Sequence, residues 1–152
     1  MISVRLAAVT ALALAPALVS AQDYKFQLTA RQGQMAIAGI GASVLGDMAK
    51  GKIAYDAAAA EAAAHNIAAI ASLNQDGLWP EGSDDMSIDG TRAQPTIWEN
   101  NADFMSKWES FQTAALSLSD AAGSGVEAMQ PALNTLGQAC VACHKAHRAP
   151  EN

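Results

Sequence analysis

The sequence predicts an all-α protein, an antiparallel up-down four-helix bundle. Three observations lead there. Apolar residues make up 51% of the chain, yet aromatics only 5%, and alanine dominates the apolar set. Alanine-rich apolar seams suit closely packed helices, whereas strands favour branched and aromatic side chains. Apolar residues also recur at spacings of three and four through four segments, roughly 24–50, 56–73, 96–122 and 125–148. That is the period of a helix and of left-handed helix packing. Finally, the links between the first and second segments and between the third and fourth are short, so each pair runs antiparallel.

Ahead of the first helix, residues 1–21 read as a cleaved secretory signal peptide. Arg5 is its positive start, Leu6 to Leu18 its apolar stretch, and Val19-Ser20-Ala21 its small-residue cleavage site. The stretch is short for a membrane span and no basic stop-transfer flank follows it. Export to a bacterial periplasm is therefore expected, with no membrane insertion of the mature chain. Residues 22–152, about 131 in number, would form one domain with its own core. Loss of residues 1–21 removes only Arg5 among the charges, leaving 8 basic and 15 acidic residues and a formal charge of −7. So acidic a chain argues against nucleic acid and anionic membrane as partners.

The first helical segment carries the seam Leu28, Arg31, Met35, Ala38, Ala42, Leu45, Ala49. It ends at KGKIAYD, residues 50–56, where Gly51 breaks the helix and Asp56 can cap the next. The second segment carries Ala60, Ala63, Ile67 and Ile70. The loop NQDGLWPEGSDDMSIDGTRAQP, residues 74–95, returns the chain. Thr96-x-x-Glu99 has capping-box spacing at the start of the third segment, whose seam is Ile97, Asn101, Phe104, Trp108, Phe111, Ala115 and Leu118. After the turn AAGSG, Ser124-x-x-Glu127 repeats that spacing. The fourth seam is Val126, Met129, Leu133, Leu136, Cys140, Cys143 and His147. Pro131 conflicts with this helix: either it kinks the segment or the regular helix starts beside it.

The stretch QACVACHKAHR, residues 138–148, holds both cysteines, with His144 directly after Cys143. C-x-x-C-H is the pattern of a c-type haem attachment site. Two thiols three residues apart share one side of a helix and can form thioethers with two vinyl groups on one porphyrin edge. His144 lies about 100° further round the axis, which aims its imidazole at the iron as proximal ligand. Three other uses compete. A Cys140–Cys143 disulfide would staple almost nothing and leave His144 without a role. A thioredoxin-like pair normally opens a helix after a strand. Zinc would need two more ligands, with only His65 and His147 left among histidines.

Taken together, the chain resembles the class II c-type cytochromes, the cytochrome c prime family. The resemblance rests on C-x-x-C-H-x-x-x-R at Cys140, Cys143, His144 and Arg148, late in the chain. It extends to AKGKIAYD (49–56), LWPEGS (78–83) and TRAQPTIW (91–98), and so covers essentially the whole mature chain. It implies a four-helix bundle with one covalently bound haem c and its iron. It places Arg31 near a haem propionate and Met35 over the open face of the ring. Where many members have an aromatic residue before the final arginine, this chain has His147. Family members often form homodimers through the first two helices, which Gly33, Gly39, Gly41 and Gly46 could permit.

Residue by residue, alternatives stand beside these roles. Met35 is either a space-filling core side chain over a five-coordinate iron or an axial thioether ligand that makes it six-coordinate. Arg31 on an apolar seam needs a buried anion, a propionate or a carboxylate of the chain. Arg148 either shields the proximal side, binds a carboxylate, or answers the helix dipole. Phe104 and Trp108 are core by default and candidates for the pocket wall. Two functions follow: a haem protein binding small diatomics such as NO or CO and passing electrons, or a dedicated electron carrier with His144 and Met35 as axial ligands. The redox partner is not identifiable. An enzyme is not expected, because the first helix offers no general acid or base.

Overall fold

A computed structural model describes residues 24–151; the expected signal peptide lies outside them. Its elements are α1 (Lys25–Ala49), α2 (Ala57–Ala71), α3 (Thr96–Glu99), α4 (Asn101–Ala121), a short 3-10 turn (Ala122–Ser124) and α5 (Val126–His147). Helix α1 packs on α2 and α5, and α4 packs on α2 and α5, so the four long helices close a ring in up-down order. The seams face inward: Leu45, Ala60, Ala64, Ile67, Ala115, Leu118 and Met129 are fully buried. At Gly41 α1 comes close to α2. A Cβ there would lie 2.9 Å from Ile67 and 3.0 Å from the Ala63 carbonyl oxygen.

One end of the bundle is tied by Tyr55, from the α1–α2 turn. Its hydroxyl donates to the Ala122 carbonyl at 2.8 Å and accepts from the Gly125 amide at 2.9 Å. At the other end the long loop wraps the tip of α5. The Gln94 amide donates to the His147 carbonyl at 3.0 Å, and the Ala149 amide to the Arg92 carbonyl at 2.8 Å. Trp98 donates to the Trp79 carbonyl and Trp108 to the Ala71 carbonyl, which pins the loop to α3 and α2 to α4.

Local chemistry explains where the expected boundaries hold. Asp56 caps α2, its Oδ1 accepting the Ala59 amide at 2.7 Å. The two capping boxes do not form. Pro95 precedes α3 in helical conformation and Thr96 turns its hydroxyl to the Ala146 carbonyl instead. Gly125, at φ 102°, precedes α5, a left-handed-region conformation that glycine tolerates, and Ser124 belongs to the 3-10 turn. The third segment is broken: Asn100, at φ −129° and ψ 56°, separates α3 from α4, and Asn101 is exposed rather than on the seam. Pro131 lies inside α5, on its exposed side. There the carbonyl that loses its partner one turn back can be hydrated.

Candidate haem site

A cavity of about 550 Å³ opens between α1, α4, α5 and the long loop. Helix α5 supplies Leu136, Ala139, Cys140, Cys143 and His144, because the seam that begins at Val126 carries the motif inward at its C-terminal end. Helix α1 faces it with Leu28, Arg31, Met35, Ala38 and Gly39, and α4 adds Phe104, Lys107, Trp108 and Phe111. The residues singled out from the sequence thus converge: Arg31, Met35, Phe104, Trp108, Cys140, Cys143, His144 and Arg148 all line one space.

The attachment motif has the right chemistry for covalent capture. Cys140 and Cys143 are free thiols, each partly buried, and burial pushes both above the ordinary thiol range. They are therefore held as thiols rather than thiolates. Burial also lowers His144, and the nearby charges of Arg148 and Arg92 lower it further, so the imidazole is kept neutral with a lone pair for a metal. No strand occurs among the described residues, and no group of three or more His, Cys, Asp or Glu side chains there could hold a metal ion. The thioredoxin-like and zinc alternatives have no scaffold in this part of the chain.

Arg31 is 4% exposed and makes no ion pair with a carboxylate among the described residues. Its terminal nitrogens donate to the Ser83 carbonyl and hydroxyl at 3.3–3.4 Å, and its guanidinium lies 4.7 Å over the Trp79 ring. The Nε group has no partner. A buried guanidinium with an unmatched donor at a cavity wall suits an anionic group inside the cavity. Met35 is 38% exposed, so it is not packed into the core as a seam residue would be, but stands at the cavity wall across from α5. Arg148 sits one turn beyond His144, its amide donating to the His144 carbonyl at 3.0 Å. It follows the end of α5 in extended conformation, bridged to Ala93, and reaches the cavity rim from there.

Several wall residues carried no sequence signal of their own. Trp79 stacks edge-on to Phe104 at 5.0 Å. Its indole donates to Gln75, which in turn donates to buried Gln34 on α1. Gln32 lines the cavity with its amide already donated to the Gly90 carbonyl. Arg92 and Lys107 join Arg31 and Arg148, so four cations and no carboxylate line a cavity in an acidic protein. His147, which its spacing puts on the fourth seam, is buried at 4% exposure against Phe104. His65 is exposed on α2.

The cavity fits a porphyrin: it has an apolar lining, two free thiols and a neutral imidazole on one wall, and an unmatched guanidinium on another. Comparison with known proteins agrees. The family model described as cytochrome C' matches residues 27–148. Cytochrome c-554 of Cereibacter sphaeroides is 36% identical over 134 residues, 88% of each chain. A solved cytochrome c' from Rhodobacter sphaeroides superposes with a TM-score of 0.82 at 30% identity, covering 86% of this chain and 100% of its own. A nitric oxide complex of a variant cytochrome c prime from Alcaligenes xylosoxidans gives 0.73 at 26% identity, over 84% of this chain and 97% of its own. Proteins of this family carry one covalently attached haem c with its iron. The chain, with its four-helix bundle and its C-x-x-C-H motif facing the cavity, belongs to the cytochrome c prime family.

Proposed function

We propose that this chain is an exported mono-haem cytochrome whose residues 22–152 form a single domain that works in the periplasm. Cys140 and Cys143 are the thioether anchors, and His144 is the proximal iron ligand. When bound, the haem supplies a one-electron couple and a site for small diatomic gases such as NO or CO. The chain's own residues set the conditions. His144 is kept neutral by burial and by two arginines. Arg31, Arg92 and Arg148 offer positive charge to the propionates, and a cationic wall also favours the ferrous state. Phe104 and Trp108 hold water off the proximal side.

One observation carries the gas-binding reading. Every α1 side chain on the cavity is apolar except Arg31, committed to Ser83, and Gln32, committed to Gly90. The one unmatched donor on that side, Nε of Arg31, suits an anionic propionate, which leaves no donor to stabilise bound oxygen, so a diatomic that needs none, NO or CO, is the better fit. The nitric oxide complex of the Alcaligenes relative supports the same reading. No α1 residue on the cavity is a general acid or base, which disfavours an enzymatic role. Ile37 and Ile40, exposed on α1, favour pairing of two copies through the first two helices.

The second reading, with Met35 as sixth ligand, is favoured by that residue's place on the cavity wall across from His144. Visible spectra of the ferric and ferrous protein decide between them. The proposal expects a high-spin ferric spectrum and free CO binding to the ferrous form. A low-spin spectrum that changes in Met35→Ala would establish the carrier reading instead.

A further inference from the structure

His147 has polar partners on both ring nitrogens. Nε2 lies 3.0 Å from Asp103 Oδ2, and Nδ1 lies 3.0 Å from Thr96 Oγ1. Asp103 is held ionised by Lys107, whose Nζ lies 2.6 Å from its other oxygen. A carboxylate only accepts, so Nε2 carries a proton. The Thr96 hydroxyl has one proton of its own and lies 2.9 Å from the Ala146 carbonyl, which also only accepts. If Nδ1 were bare, it would compete with Ala146 for that single proton, and one acceptor would be left unmatched. If Nδ1 carries a proton, it donates to Thr96, Thr96 donates to Ala146, and every contact is satisfied.

We infer that His147 is a buried imidazolium, protonated on both nitrogens, that clamps the haem-motif end of α5 to α3 and α4 and fixes a positive charge on the cavity wall. It is a positioning residue: it touches the cavity wall but anchors through Asp103 and Thr96. The other charged or titratable groups around it are Asp103 and Lys107 on α4, Arg92 on the loop, and Cys143, His144 and Arg148 at the end of α5. On α3, Glu99 is exposed and Thr96 supplies the contact. A fixed cation beside the haem opposes the extra positive charge of the ferric state and raises the midpoint potential.

The charge effect on the potential rests on the haem reading, whereas the protonation of the ring does not, so two readouts separate them. In the ferrous holoprotein under carbon monoxide the iron is diamagnetic whether CO or Met35 fills the sixth position, and nitrogen-15 NMR of the His147 ring is then readable. The expected result at pH 7 is a directly bonded proton on each ring nitrogen. A bare Nδ1 overturns the inference. His147→Gln keeps a donor for Asp103 but no charge, and its midpoint potential is expected to fall below that of the parent. An unchanged or higher potential overturns the effect of that charge on the haem, while the protonation itself stands or falls on the NMR.

Discussion

The guanidinium of Arg31 lies 4.7 Å over the ring of Trp79, joining the first helix to the loop that closes the haem cavity. The same side chain reaches Ser83 through both terminal nitrogens. Arg31→Lys keeps the charge but loses the planar stack and the forked donors. We expect a loss of about 1–2 kcal/mol in stability by denaturant titration. A larger loss is expected for Arg31→Met, which also strips the cavity of a cation.

Close approach of α1 and α2 at Gly41 leads to a second prediction. A Cβ at this position meets Ile67 and the Ala63 carbonyl at 2.9–3.0 Å, and backbone cannot give way cheaply. Gly41→Ala should cost about 1–3 kcal/mol by urea unfolding. A Cβ at Gly33 would meet nothing within 4 Å, so Gly33→Ala should be neutral or stabilising by up to ~1 kcal/mol. Equal effects at both sites would contradict this packing.

Much of this arrangement was legible in the residues. The three-four seams located three of the four long helices to within a residue or two and ran the third together with the short α3, because periodicity over many residues outweighs local detail. The pocket was legible through its chemistry: two thiols, an imidazole, and an arginine out of place on an apolar seam. The break at Asn100 was not legible, since neither glycine nor proline marks it. Thr96 misled because its hydroxyl is drawn to Ala146 and His147, some fifty residues away, rather than to its own helix. The hydrogen-bonded set of Gln34, Gln75 and Trp79, of which Trp79 lines the cavity, lies half in a loop without period, where no spacing reports a contact.

Acid sensitivity should trace in part to Asp103. The hydrogen bond from Lys107, helped by its charge and by His147, holds this carboxyl below the usual carboxylate range. A depressed folded value means that its contribution is fully present above the unfolded value and is lost as pH falls through the folded one. Asp103→Asn should therefore flatten the acid limb of a plot of melting temperature against pH.

The two thiols should be sluggish before haem is attached. Burial raises both Cys140 and Cys143, so the thiolate fraction at neutral pH is small. In a haem-free preparation, alkylation by iodoacetamide should be slower than for a free cysteine peptide at pH 7. It should catch up only as pH climbs past the ordinary thiol range. Rapid labelling at neutral pH would mean that the end of α5 is open without its haem.

Covalent capture at the end of α5 is the central claim, and peptide mass mapping of the purified protein tests it most directly. The account predicts one haem on the peptide that contains both Cys140 and Cys143, with neither thiol free. Two unmodified thiols, or a disulfide between them, in protein matured with haem available would contradict it.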